Sequence, residues 1–232
     1  MKKIFLSSIV CLGMLFSCSS DDGGTDPGGG GGGQTVTATY RITFIPNFSQ
    51  ANFPTDYPAD AMFSGIVVAV HAPDKRVFRV NQAASEGLKT LAETGNNAPL
   101  ITDLNSQGGD DESDFFVTAL SAASGPTSTQ SVNIAIDPEK TSISFAVGLT
   151  PSPDWFVGID NQSLIVNGNS LVTELDVNLT ALDAGTDSGT TYLSADSPTV
   201  PQGLITTIDS PPIGMGGLSP TIGILRIERT DI

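Results

Sequence analysis

The feature that most constrains this chain is a strict two-residue alternation of apolar and polar side chains. Between residues 35 and 44, four threonines and one arginine alternate with five apolar residues: Val36, Ala38, Tyr40, Ile42 and Phe44. Successive side chains of a strand point to opposite faces, so this period predicts a half-buried β-strand. Similar alternation returns further along the chain, and another candidate strand closes it: residues 132–136, 143–149, 171–179 and 222–229.

Two other segments complete the prediction of fold class. Residues 63–71 form a continuous apolar run, which indicates a central strand covered on both faces. Residues 81–95 carry Leu88, Leu91 and Ala92 on one helical face and end at Gly95, which is typical of a helix C-terminus. Strands that follow one another without regular helical crossovers favour an antiparallel β-sandwich. We therefore expect an all-β domain with one short helix.

The first residues have the pattern of a targeting segment. Two lysines precede a run of apolar and small residues that ends before Cys18, as in a signal peptide covering residues 1–17. The run is too short to cross ~30 Å of hydrocarbon as a helix. Residues 15–18 (LFSC) resemble a bacterial lipobox, which implies that Cys18 is acylated and becomes the mature N-terminus. Ordinary cleavage by a secretion peptidase is the alternative.

A flexible tether is expected to follow, over residues 18–34. It contains six consecutive glycines, which bury no apolar surface. The acidic pair Asp21-Asp22 resembles the surface-export signal of Bacteroidetes lipoproteins, although a solvated spacer has the same composition. We expect a bacterial outer-membrane lipoprotein, exposed at the cell surface, whose single domain spans residues 35–232. Because Cys11 lies in the signal segment and Cys18 carries lipid, no disulfide is expected.

Charge and composition exclude several classes of function. The chain has 25 acidic and 10 basic residues and a formal charge of −15. Nucleic-acid backbones are held by clustered lysines and arginines, so no nucleic-acid partner is expected. The same charge leaves the lipid anchor as the only expected contact with a membrane. One histidine and two cysteines exclude the common zinc sites.

Two acidic segments suggest a calcium site. Asp183 and Asp187 are four residues apart, and Gly185 between them permits a tight turn. Asp154 follows Pro153, whose fixed φ stiffens the backbone there. Carboxylates brought together without a cation repel one another, and calcium prefers six to eight oxygen ligands. Magnesium demands stricter geometry, and an acidic loop that is merely solvated is the simpler interpretation.

The same two segments, PSPDWFVG at 151–158 and DAGTDSG at 183–189, resemble the N-terminal domain of the spondins, the family of F-spondin and mindin. The resemblance implies a β-sandwich similar to calcium-dependent phospholipid-binding modules, with calcium held in loops at one end. The family's metal-binding aspartates match Asp154, Asp183 and Asp187. The sequence lacks the family's tryptophan near residues 170–171 and the cysteines of the animal proteins.

The resemblance implies an envelope-anchored, calcium-binding recognition or adhesion module without catalysis, whose ligand is an extracellular protein or glycan. One alternative is a carbohydrate-binding partner of a surface glycan-uptake system. Another is a hydrolase that uses His71, the single histidine, as its base; no G-x-S-x-G motif supports it. Trp155, the single tryptophan, is expected to pack beneath the metal loops, with a ligand-stacking role as the alternative.

Overall fold

The computed structural model describes residues 37–109 and 112–232. The predictions for the signal peptide, Cys18 and the tether lie outside the described residues. The helices are α1 (Glu86–Thr94) and α2 (Ala98–Ser106). The strands are β1 (Ala38–Pro46), β2 (Met62–Phe63), β3 (Val67–His71), β4 (Gly108–Gly109), β5 (Glu112–Ser113), β6 (Phe115–Ala119), β7 (Gln130–Ile136), β8 (Ser142–Thr150), β9 (Trp155–Ser163), β10 (Ile165–Val166), β11 (Ser170–Leu171), β12 (Glu174–Asp183), β13 (Thr206–Thr207) and β14 (Thr221–Arg229).

One antiparallel sheet connects most of these strands, in the order β6-β3-β8-β9-β12-β14-β1-β7. β2 pairs with β8, and β13 pairs with β12. β9 and β12 are joined through only three residue pairs, which end at Asp183 and Trp155. The strands on the two sides of this join bury their side chains in one shared core, so the sheet forms two layers. The predicted all-β class is confirmed.

The shared core is built from the alternation seen in the sequence. In β1, Tyr40, Ile42 and Phe44 are completely buried, whereas the intervening residues are exposed or half-buried. The Phe44 ring lies 5.0 Å from that of Phe63 and 5.3 Å from that of Phe145. Each such side chain stabilises the fold by about 1.5–3 kcal/mol through removal from water. These aromatic contacts connect the two layers.

Helix α1 packs on the outer face of β8 and β9. The Ser85 hydroxyl caps its start by accepting a bond from the Leu88 amide, and Gly95 (φ 71°) ends it. At Gly148 of β8, an added Cβ would lie 2.4 Å from the Leu91 carbonyl oxygen, so the helix rests directly on this strand. All of Val67–His71 is buried, which confirms a strand covered on both sides. The predicted run of residues 63–71 is not one strand, because Phe63 belongs to β2 and β3 begins at Val67.

The helix prediction needs correction in two respects. The first helix begins at Glu86, and a second helix, α2, follows it where only one was expected. Leu100 and Leu104 of α2 are buried, and its Asp103 carboxylate accepts a 2.9 Å bond from the Gly87 amide of α1. α2 therefore belongs to the same outer layer. No helix within the described residues is long and apolar enough to span a bilayer.

Candidate functional site

Asp154 connects two turns at one end of the sandwich. One is the turn between β8 and β9 that contains Asp154, the other is the turn that follows β12, and we call them the acidic turns. Asp154 lies between β8 and β9 and is completely buried. Its Oδ2 accepts bonds from the Thr186 amide (2.6 Å), the Asp187 amide (3.1 Å) and the Thr186 hydroxyl (3.3 Å). The Ala184 amide also donates to the Asp154 carbonyl oxygen. One carboxylate oxygen thus organises the whole turn that follows β12.

The other oxygen of Asp154 is unpaired. Asp154 Oδ1 is buried and accepts no hydrogen bond from any of the residues that the structure describes. Burial, followed by the charge of Asp183, raises the pKa of the Asp154 carboxyl to about 6, against the opposing effect of its three donors. A buried anionic oxygen without a donor is costly unless a proton or a cation compensates it. This oxygen is the clearest unused ligand atom in the two turns.

Asp183 lies beside Asp154, at the end of β12. It pairs with Trp155 across the join between the layers, and its Oδ1 accepts a 2.7 Å bond from the Gly185 amide. Burial raises the pKa of the Asp183 carboxyl, the Gly185 amide and the Trp155 side chain oppose this, and the charge of Asp187 adds to it. The charge of Asp183 thus disfavours ionisation of Asp154, and the charge of Asp187 disfavours ionisation of Asp183.

Asp187 differs because its oxygens are already used. Oδ1 accepts from the Gly189 amide at 2.7 Å, and Oδ2 accepts from the Ser197 amide at 2.6 Å. The side chain is buried and closes the loop from 187 to 197. Among the described ranges 37–109 and 112–232, no three Asp, Glu, His or Cys side chains are arranged as a group that could hold a metal ion. The structure brings the three aspartates to adjacent turns without assembling them in this way.

Gly185 explains the tightness of the second turn. Its φ is 72°, and an added Cβ would lie 2.7–2.8 Å from backbone atoms of Gly203 and Leu204. The Gly203 amide donates to the Gly185 carbonyl oxygen at 2.7 Å. Both the left-handed backbone and the close approach require glycine. The sequence-based expectation of a left-handed glycine between the two aspartates is confirmed.

Trp155 packs beneath these turns. Its side chain is 3% exposed and its ring lies 5.2 Å from that of Tyr192, edge to face. A cavity of about 170 Å³ lies next to it, with Asp183 and Asp209 among its lining residues. Because the indole is buried, Trp155 supports the turns and offers no open stacking surface.

Comparison with known proteins identifies the family of this chain. The Spondin_N family model matches residues 38–213. The chain belongs to the spondin N-terminal domain family. It is 36% identical to Spondin-2 of Rattus norvegicus over 174 residues, which are 74% of this chain and 52% of the relative. For Spondin-2 of Homo sapiens the identity is 35% over 176 residues, 75% of this chain and 53% of the relative. For Spondin-1 of Rattus norvegicus it is 34% over 187 residues, 75% of this chain and 23% of the relative.

The chain spans about half the length of its Spondin-2 relatives and about a quarter of Spondin-1. Both acidic segments lie inside the matched range. The last strand, β14, lies beyond the matched range and pairs with both β1 and β12, so the sheet of this spondin domain includes a central strand outside that range.

A second buried polar cluster in this spondin domain resembles a hydrolase triad in composition only. His71 Nε2 lies 2.8 Å from the Ser144 hydroxyl, which also donates to Asp160 Oδ1 at 2.8 Å. His71 Nδ1 bonds the Ala72 carbonyl oxygen, whereas a triad needs the carboxylate at that nitrogen. His71 is completely buried and Ser144 is 1% exposed, so a substrate has no access to the hydroxyl.

This cluster is structural. Asp160 Oδ1 also accepts bonds from the Val77 and Phe78 amides, at 2.8 and 3.4 Å, which holds the chain after β3 against β9. Burial, the largest effect, lowers the pKa of the His71 imidazole, whereas the Ala72 carbonyl and Asp160 oppose the shift. Sequence reasoning did not find the cluster, because only strand register brings positions 71, 144 and 160 together.

Proposed function

We propose that this spondin domain is a recognition or adhesion module that acts outside the cell, without catalysis, and that calcium stabilises its two acidic turns. Family membership supports the extracellular role. The unpartnered Asp154 Oδ1 is the observation that carries the calcium proposal, since it is a hard, buried oxygen beside a second carboxylate. The hydrolase alternative receives no support from the buried His71 cluster.

Asp154 and Asp183 would supply the first carboxylate oxygens for the ion, and Asp187 is the third acidic residue of the proposed site. The ion would offset the repulsion that disfavours ionisation of Asp154 and Asp183. Its attachment to both turns would hold them together with the loop that Asp187 closes. Calcium suits this donor set because it tolerates irregular geometry and mixed carboxylate and carbonyl ligands.

Calcium addition to the metal-free domain should raise its melting temperature and change the emission of Trp155, the only tryptophan. Extracellular calcium modules bind at about 10⁻⁴–10⁻³ M, so the titration should reach millimolar ion. The double variant Asp183→Asn/Asp187→Asn should lose both responses. A matched variant, Asp60→Asn/Asp196→Asn, makes the same charge change at two exposed positions and should keep them. Equal melting shifts in the two double variants would refute the site.

The proposed location is the surface of a bacterial outer membrane, through lipidated Cys18. Replacement Cys18→Ser should move the protein from the membrane fraction to the soluble fraction and abolish labelling with an alkyne fatty acid. Protease treatment of intact cells would then test surface display. Unchanged fractionation of the serine variant would remove the anchor from the proposal.

A role as the carbohydrate-binding partner of a glycan-uptake system remains the second candidate from the sequence. A glycan array probed with calcium and with chelator separates it from protein recognition, because only the carbohydrate binder gives calcium-dependent signals on glycans.

A further inference from the structure

An open groove lies beside the acidic turns, between the β1–β2 loop and the turn that follows Gly189. Its volume is about 520 Å³, within the usual range of ligand sites. We call it the tyrosine groove and define it by its lining residues: Gln50, Pro54, Asp56, Tyr57, Thr191, Tyr192 and Leu193.

Both walls of the tyrosine groove are held firmly. In the first wall, the Tyr57 hydroxyl donates to the Phe48 carbonyl oxygen at 3.0 Å, and the Phe48 ring is buried. In the second wall, the Thr191 and Ser194 hydroxyls lie 2.9 Å apart, and the Tyr192 ring packs between Trp155 and Phe48. A groove with fixed walls costs little ordering entropy when a ligand binds.

Several groups that line the groove are not used by the fold. Asp56 and Gln50 are exposed, and within the described chain their side chains make no hydrogen bond or ion pair. Asp56 has a φ of 49°, an uncommon conformation for a non-glycine residue. Leu193 at the rim is 75% exposed. The groove thus offers a free carboxylate and a free amide beside apolar surface.

The sequence around the groove contains no positive charge. Residues 42–70 and 141–225 supply both walls of the groove and both acidic turns. They contain no Lys, Arg or His and carry ten Asp or Glu residues.

 Residues 42–70 and 141–225 thus supply no basic side chain with which Asp56 could pair. The whole chain adds to this local field, because its formal charge is −15. Such a field raises the local concentration of cations and speeds the association of basic partners.

We propose that the tyrosine groove binds a lysine or arginine side chain presented by an extracellular protein partner. The ammonium or guanidinium group would lie beside the Asp56 carboxylate and the Tyr57 ring, since aromatic faces and carboxylates both attract cations. The aliphatic stem of the same side chain would cover Pro54 and Leu193. The Gln50 amide oxygen supplies a further acceptor.

This inference rests on the proposed recognition function, and it uses none of the proposed calcium ligands. The groove is lined by none of Asp154, Asp183 and Asp187, so failure of this inference would leave the calcium site standing. The two sites are neighbours, because residues 191–193 lie in the loop that Asp187 closes and the Tyr192 ring contacts Trp155 beneath the acidic turns.

The test uses triarginine and trilysine peptides as probes, with tricitrulline as the uncharged control. Two-dimensional amide spectra of the domain should show that the charged peptides shift the signals of residues 50–57 and 191–193 most strongly. Asp56→Asn should weaken binding by up to about fivefold, the upper end of the range for one exposed ion pair, because the Tyr57 ring is unchanged. Asp60→Asn makes the same charge change in the same loop without lining the groove, and it should bind as the wild type does.

Three results would overturn the proposal: equal weakening by both variants, signal shifts spread over the acidic surface, or equal binding of tricitrulline. Binding of a neutral saccharide at the same residues, in place of the charged peptides, would also overturn it. The calcium-dependent melting shift of Asp56→Asn, measured in parallel, should equal that of the wild type. Loss of that shift alone would count against the calcium site and not against the groove.

Discussion

The two buried polar clusters of this domain differ in how completely the protein satisfies them. In the His71 cluster, Ser144 and Asp160 bond to each other and to neighbouring groups, and Asp160 also holds two backbone amides. In the acidic turns, Asp154 uses one oxygen for three donors and leaves the other oxygen without any.

This difference separates a structural cluster from a candidate binding site. Buried polar groups in native proteins are nearly always paired, so an unpaired one requires its own explanation. Residue types alone mislead here, because serine, histidine and aspartate suggest catalysis whereas their contacts serve packing. The predictions below test whether Asp154 is the group with unused binding capacity.

The largest expected effect is a pH dependence of stability caused by Asp154. Its folded pKa of about 6 lies above the ordinary carboxyl value of 3.8, so the folded state binds this proton more tightly. In chelator, the resulting stabilisation is fully present below pH 3.8 and is lost as the pH rises through 6. The difference corresponds to about 3 kcal/mol, from 1.36 kcal/mol per pKa unit. Urea unfolding across this range measures it.

Two variants isolate this effect. Asp154→Asn should remove most of the loss of stability at rising pH, while the raised pKa of Asp183 leaves a smaller slope of the same sign. An unchanged slope would contradict the assignment. His71 acts in the opposite direction, because its lowered folded pKa gives stability that is present above pH 6.5 and lost as the pH falls. A His71→Gln background removes this second slope, since the chain has one histidine.

A smaller effect is expected in the satisfied cluster. Ser144→Ala removes the hydroxyl that contacts His71, Asp160 and the Asn161 amide, and we expect the free energy of unfolding to fall by about 2 kcal/mol. Ser142→Ala is the matched control on the same strand, because the Ser142 hydroxyl is buried without a partner. Its removal should leave stability unchanged or raise it. Equal losses of stability in both variants would mean that the hydrogen bonds of the Ser144 hydroxyl do not contribute to the free energy of unfolding.

Alternation and turn residues made much of the sheet predictable from the sequence. β1 and β7 bury one face and expose the other, which is the condition under which period two is visible. The glycine between Asp183 and Asp187 and the Gly95 end of α1 follow from equally local rules. The family motifs also pointed to the acidic turns correctly, as neighbouring segments at one end.

The features that escaped prediction depend on contacts between distant residues. In β8, Ser142, Ser144 and Gly148 suggested a polar outer face, yet all three are buried. Helix α1 lies against Gly148, and Ser144 belongs to the His71 cluster. Helix α2 escaped notice because its apolar stripe is short, although Pro99 in its first turn was a usable signal. The hydrogen bonds that occupy both oxygens of Asp187 depend on loop closure, which spacing alone does not reveal.

The position of β1 between two strands has a mechanical consequence for the domain. β1 is antiparallel to β14 on one side and to β7 on the other, with seven residue pairs along each edge. A force applied at residue 37 along the strand axis loads both ladders in shear, and their bonds must yield together rather than unzip one after another. The first strand of the domain is thus placed to resist pulling.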